Sequence, residues 1–310
     1  MKRILLIPDI PNWAWDHNAN GIIKNLPQYK FTKAYGRSAI NENALKTFDS
    51  ILIFPWYDAD HRYRSKLNTA VSAHNFQYYW SGRSRKELPE FKSIAAFSNK
   101  IKTILEKNNL NSNVYYCPCG VDEELFYPRK NVTRRPKFRI GWTGKMIQET
   151  KEKFHMKGYN ILLKPIMRKL SKYSDIEFVI NSKGYQNAVK FEDMPTYYNN
   201  IDVQICTSFR EGTPNPIFEA SACGKPVIST DVGCIPELIK HGNNGFIVPT
   251  FNDEIEAEKR VDDFVNHILY LKDNKDICQL MGNENRKIIE EHWTWKNKAK
   301  NYIPIFEGDD

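Results

Sequence analysis

Short apolar runs alternate with polar, helix-compatible stretches along this chain, and the alternation occurs twice. In the first half the runs are Ile4–Ile7, Ser50–Trp56, Thr69–His74, Ile94–Phe97 and Val114–Cys117. In the second half they are Phe138–Trp142, Ile176–Ile180, Val203–Cys206, Pro226–Ser229 and Phe246–Val248. Helices fit between them at Lys100–Asn108, Asn160–Lys172 and Asn252–Lys272. The last carries Val261, Phe264, Val265, Ile268 and Leu271 at helical spacing on one face. Strand–helix alternation of this kind belongs to parallel sheets with helices on both faces. The two series are separated by "YPRKNVTRRPKFR" (127–139), a basic, proline-containing stretch without periodicity that reads as a linker. The expected fold class is therefore α/β, with two doubly wound domains, a cleft between them, and ligands at the C-terminal ends of strands.

Composition narrows the function classes. Hydrophobic residues make up 41% of the 310-residue chain and charged residues 26%, as in ordinary soluble proteins. No apolar run approaches the ~20 residues of a membrane span. The N-terminal apolar run stops at Pro8 and Asp9, so it reads as a buried strand and not an export signal. The 6 cysteines are too few for a disulfide framework at this length, which points to reduced thiols and a cytoplasmic location. Cys117 and Cys119 lack metal-site spacing. Charge is uneven: residues 1–139 hold 23 Lys and Arg against 12 Asp and Glu, while residues 140–310 hold 22 against 25. The first half is thus suited to an anionic partner, either an acidic polymer or the inner face of an anionic membrane. A solvated basic face is the plain alternative. No aromatic-interleaved basic motif suggests nucleic acid.

The densest chemistry lies in "TSFREGTPNPIFEASACGKP" (207–226). A strand ends at Cys206, a glycine- and proline-containing loop follows, and a helix begins with Asn215 as its cap and Pro216 in its first position. Gly224 ends it. A helix start presents backbone N–H groups and a positive dipole end, which suits a diphosphate. Glu211 precedes the helix and Glu219 lies one turn inside it. Carboxylates accept hydrogen bonds from vicinal hydroxyls, so the two could hold opposite ends of one elongated ligand. Spacing alone equally allows a solvated Glu211 and a helix-surface Glu219.

Residues 211–249, "EGTPNPIFEASACGKPVISTDVGCIPELIKHGNNGFIVP", closely resemble the donor-site signature of glycosyltransferase family 4. That signature is a Glu-x7-Glu motif, then E-A-x-A-x-G-x-P-V-I, a Gly-x-x-E-x-I segment and a G-x-x-G-x-x-V hairpin. Flanking segments resemble the family in the same order: "CPCGVDEELFYP" (117–128), "IGWTGK" (140–145), Lys157-Gly158, "MPTYYNNIDVQICTSFREG" (194–212) and "WTWKNKAKNYIPIF" (293–306). The resemblance covers most of residues 114–306. It implies a GT-B fold, with an acceptor-binding domain at 1–128, a nucleotide-sugar-binding domain at 129–290, and a segment at 291–310 that crosses back to the first.

The resemblance further implies site roles. Glu211 would bind hydroxyls of the transferred sugar and Glu219 the donor ribose. Gly212, Thr213, Pro214 and Asn215 would lie along the sugar and diphosphate. Lys145 and Lys157 would neutralise the leaving diphosphate, so no metal and no cofactor is expected. His74, at the tip of a first-domain strand, resembles the family histidine that faces the donor sugar; a structural histidine is the equal alternative. The implied activity is transfer of a hexose from a nucleotide-diphosphate sugar to a glycan or lipid-linked glycan hydroxyl, with retention. An epimerase or hydrolase acting on the same donor, and a non-catalytic anion-binding protein, are the rival classes.

The first domain departs from the family pattern. Its first loop, "PDIPNWAWDHNANG", has Asn20-Gly21 as the nearest substitute for a glycine pair. Trp13, Trp15, Asp16 and His17 are candidates to line an acceptor groove, with 56–64 as the opposite wall; for the tryptophans, buried packing competes equally. Asp58 and Asp60, in a chance match to the metal motif of another glycosyltransferase fold, are candidates to act on the acceptor hydroxyl.

Overall fold

The computed structural model describes residues 1–35, 42–54, 69–73, 88–108, 111–130, 136–146, 156–182, 188–251 and 254–308. The chain divides into two compact units, Met1–Gly120 with Trp293–Asp310, and Val121–His292.

In the first unit the strands are β1 (Arg3–Ile7), β2 (Lys30–Lys33), β3 (Ser50–Ile53), β4 (Thr69–Ala73), β5 (Ser93–Ala96) and β6 (Asn113–Tyr116). They form one parallel sheet in the order β2-β1-β3-β4-β5-β6. Alternate residues go to opposite faces. Ile4, Leu6, Leu52 and Phe54 pack with Ile22 of the helix Ala14–Asn25 and with Trp295, Tyr302 and Phe306 of the C-terminal segment. Leu5, Ile7, Ile51 and Ile53 pack with Ile101 and Leu105 of the helix Asn99–Lys107. Burial on both faces explains why these strands read as continuous apolar runs.

In the second unit β7 (Phe138–Gly144), β8 (Ile176–Ser182), β9 (Val203–Cys206), β10 (Val227–Thr230) and β11 (Gly245–Val248) form a parallel sheet ordered β11-β10-β9-β7-β8. Renumbered from its first strand, this order is 2-1-3-4-5, and the first sheet is the same with one strand added. The helix Lys164–Leu170 and the long helix Glu254–Asp273 close one face, through Ile166, Leu170, Val261, Phe264 and Ile268.

Three local readings change. The strand "KFTK" (30–33) escapes the apolar-run criterion because β2 is an edge strand with β1 as its sheet neighbour, so its side chains need not be apolar. Tyr127–Arg129, read as linker, is tied to the second unit: Asn199 donates to the Tyr127 carbonyl (3.0 Å) and accepts from the Arg129 N–H (2.8 Å). At the other end of that stretch β7 starts at Phe138, as its apolar run predicts. Gly21 does not line the first loop. It lies inside the helix Ala14–Asn25, where a Cβ would fall 2.3 Å from the Trp295 ring.

The C-terminal segment is bound to the first sheet by Tyr302, which donates to the Cys117 carbonyl (2.8 Å), and by the Lys2–Glu307 ion pair (2.7 Å). All the cysteines are free thiols. Among the described residues, no helix is long and apolar enough to cross a membrane.

Candidate functional site

The order of the second sheet fixes where a ligand can enter. From β7 the chain crosses to β8 on one side and then to β9 on the other. The loops leaving the C-terminal ends of β7 and β9 therefore diverge, which opens a crevice at the switch point. Lys145 and Lys157 follow β7, and the Glu211 loop follows β9.

Backbone constraints bring two of these residues together. Gly158 has φ +64°, and a Cβ on it would sit 2.0 Å from the Thr207 carbonyl oxygen. Thr207 Oγ1 donates to the Lys157 carbonyl (2.8 Å) and accepts from Trp142 Nε1 (3.0 Å). The Phe209 N–H donates to the Met156 carbonyl (2.8 Å). Stitched this way, the 156–158 turn points Lys157 at Glu211, and Nζ meets Oε1 at 2.5 Å. Burial works to lower the pKa of the Lys157 ammonium, but the adjacent Glu211 carboxylate outweighs it and holds the pKa above its ordinary value.

The Glu211 side is braced by the loop after β10. The Cys234 N–H donates to the Gly212 carbonyl (2.9 Å). Gly233 has φ +53°, and a Cβ there would meet the Gly212 carbonyl at 2.0 Å. This gives the segment "GCIPELI" (233–239) a structural role: its glycine lets one backbone lie flush on another.

The helix Asn215–Ala222 begins one residue earlier than the sequence suggests. Pro214 occupies the cap position, Asn215 is already helical, and no side chain caps the start. Asn215 is therefore placed in the first turn and is not the cap. The two prolines at 214 and 216 preset the backbone there, so a side-chain cap is not needed to define the entry. At the other end Gly224 (φ +69°) completes a Schellman motif, with the Lys225 N–H on the Ala220 carbonyl and the Gly224 N–H on the Ser221 carbonyl, both at 3.0 Å.

Glu219 projects from this helix half-buried, and Tyr198 Oη donates to its Oε2 at 2.7 Å. Tyr198 is wholly buried on the helix Met194–Asn199, its ring against Phe126 and Tyr197. Burial and then the Glu219 charge push the phenol pKa far up, so it stays a donor. The sequence does not mark Tyr198, Thr207 or Trp142 as part of the site. Each looks like ordinary core or turn until its partner, far away in sequence, is known.

Lys145 lies just past the end of β7, exposed at the same sheet edge, and the following residue is anchored by the Met146 N–H on Ser182 Oγ (3.0 Å). Gly212 and Pro214 are buried, and Thr213 is half-buried.

In the first unit the candidates separate. Trp13 is 47% exposed. Trp15 is half-buried and packs on Phe54 and Phe97, with ring centroids 5.9 and 5.4 Å away. Asp16 is buried and turned inward, accepting from the Asn12 N–H (2.9 Å), Lys33 Nζ (2.6 Å) and Tyr35 Oη (2.8 Å). His17 is half-buried in the helix, its N–H on the Trp13 carbonyl. Asp58, Asp60 and His74 lie outside the described residues.

Residues 137–274 match the family described as Glycosyl transferases group 1. A 120-residue stretch is 28% identical to spore coat protein SA of Bacillus subtilis (strain 168), covering 38% of this chain and 30% of that protein. The chain thus spans less than a third of that relative's length. Two solved structures cover the whole chain at low identity. Sucrose-phosphate synthase from Thermosynechococcus elongatus superimposes with a TM-score of 0.72 at 12% identity, over 99% of this chain and 98% of that one. Anabaena HepE in complex with UDP and glucose does so with a TM-score of 0.71 at 14% identity, over 99% and 100%. The fold is of the GT-B type.

Proposed function

We propose that this chain is a GT-B glycosyltransferase of family 4. It moves a sugar from a nucleotide-diphosphate sugar to a hydroxyl of a glycan or lipid-linked glycan, with retention. The observation that carries the reading is the meeting of Lys157 and Glu211 at the β7/β9 switch point, beside a helix start and a second, oriented glutamate. One arrangement thereby supplies a cation for phosphate, a carboxylate for sugar hydroxyls and a carboxylate for ribose. The structural neighbour HepE is described in complex with UDP and glucose, which supports a ligand that joins a nucleoside diphosphate to a sugar.

In this reading Lys145 and Lys157 balance the charge that develops on the leaving diphosphate. The helix Asn215–Ala222 adds its positive end to the same phosphates, with Gly212, Thr213, Pro214 and Asn215 along them. Glu211 orients the sugar, the leaving phosphate assists removal of the acceptor proton, and attack occurs on the same face. The excess of Lys and Arg in residues 1–139, 23 against 12 acidic residues, favours an anionic acceptor or an acceptor at an anionic membrane.

A thermal-shift screen against nucleotide sugars tests the reading. A true donor at 100 times its Kd stabilises by about 2.7 kcal/mol. Glu219→Ala leaves the Lys157–Glu211 pair intact and should weaken that donor about tenfold, the loss of one charge-assisted bond. Indifference to every nucleotide sugar, or unchanged affinity in Glu219→Ala, would sink the proposal. Tyr198→Phe separates orientation from chemistry. It should raise the donor KM several-fold and leave kcat within about twofold, because the ribose bond is made equally in ground and transition states. A fall in kcat with constant KM would contradict that role.

A further inference from the structure

We infer that Glu211 competes with the ligand's phosphate for Lys157, so that the site selects a diphosphate that carries a sugar over one that does not. The inference rests on the nucleotide-sugar reading and deepens it. The ammonium and carboxylate lie 2.5 Å apart, with side chains 29% and 15% exposed. A pair this withdrawn from water is screened far less than a surface one.

The backbones that carry both partners are held in place. The backbone of Lys157 is pinned by Thr207 and by the Gly158 contact, and the Phe209 N–H holds the preceding residue. The backbone beside Glu211 is pinned by Cys234 and Gly233. A phosphate that reaches Lys157 therefore arrives beside an existing carboxylate. It must tolerate that like charge or displace it, and displacement leaves Glu211 half-buried without its counter-ion. Sugar hydroxyls remove the penalty, since they donate the hydrogen bonds that the carboxylate then lacks. A bare nucleoside diphosphate brings phosphates and no hexose hydroxyls to this position. After transfer, Glu211 returns to Lys157 and opposes retention of the product. Glu211 thus sets the ratio of substrate to product affinity in addition to orienting the sugar.

The inference predicts opposite effects of one substitution. Calorimetric titration of UDP, ADP and GDP into wild type and Glu211→Gln should show the bound nucleotide held about tenfold more tightly by the variant. Turnover of the matching nucleotide sugar should fall. Glu211→Ala should shift nucleoside diphosphate affinity in the same direction, which covers the case of a poorly folded glutamine variant. A nucleoside diphosphate that binds wild type as tightly as both variants, or more tightly, overturns the competition and leaves the donor reading standing. Failure of all three nucleotides to bind any of the proteins overturns the donor reading itself, and this inference with it.

Discussion

Gly158→Ala should abolish measurable donor turnover and lower the stability of the second unit by about 3 kcal/mol or more. Two penalties combine. At φ +64° any Cβ costs about 1–2 kcal/mol, and this Cβ would also lie 2.0 Å from the Thr207 carbonyl oxygen. That carbonyl has nowhere to go. Thr207 is fully buried, and its hydroxyl is held between Trp142 and Lys157. Relief must come from the 156–158 turn, which moves Lys157 away from Glu211 and from any phosphate. Gly242 provides the comparison, because it has φ +80° and nothing within 4 Å of a built Cβ. Gly242→Ala should cost only the backbone term, about 1 kcal/mol, and leave turnover unchanged. Denaturant unfolding and turnover of both variants decide the matter. Equal behaviour of the two would show that the Thr207 contact is not what holds the turn.

Asp16→Ala should destabilise the first unit by about 3–5 kcal/mol, the range for removing one partner of a buried ion pair. The carboxylate holds the first loop to the sheet. It accepts the N–H of Asn12, which has φ +60°, and it pairs with Lys33 beyond the end of the helix turn. Without it, a mostly buried ammonium loses its carboxylate and is left, among the described residues, with the neutral neighbours Asn20 and Tyr35. The pH dependence has a definite sign. Burial pushes the Asp16 pKa up, but Lys33, the Asn12 N–H and Tyr35 together bring it below the ordinary value of 3.8. Its stabilisation is therefore present above 3.8 and lost as pH falls through the lowered folded value. Burial lowers the Lys33 pKa and Asp16 more than restores it, so the Lys33 contribution is lost only as pH rises past 10.5. The gap between wild type and Asp16→Ala should be flat from about pH 5 to 9 and close in acid. A gap that persists at the most acidic pH where the wild type still folds would mean that packing, not charge, is responsible.

Much of the architecture is legible in the sequence because parallel strands covered on both faces must be apolar throughout. Ile4–Ile7 and Val203–Cys206 are visible for that reason, and the helix Glu254–Asp273 is visible because its apolar residues recur at helical spacing. The edge strand Lys30–Lys33 is not, since one exposed side releases its composition. The start of the helix at Asn215 is misplaced by one residue because Pro214 and Pro216 define the entry without the side-chain cap that Asn215 advertises. Glu211, Glu219 and Lys157 are each visible as members of a motif. Their relations are not. Lys157 and Glu211 are 54 residues apart, and Tyr198 and Glu219 are 21 apart. Nothing in either local stretch says that the first two form an ion pair or that Tyr198 donates to Glu219.

What the sequence by itself determined is the alternation of strand and helix, the two parallel sheets it compels, and the chemistry available at the strand ends. What only the tertiary structure decided is which charges meet. Trp15 faces Phe54 and Phe97 and Asp16 faces Lys33, and Lys157 and Glu211 face each other because close backbone approaches at Gly158 and Gly233 set directions that no residue type encodes alone. Residue types fix what a side chain can do; close packing of distant backbones fixes to what it is applied.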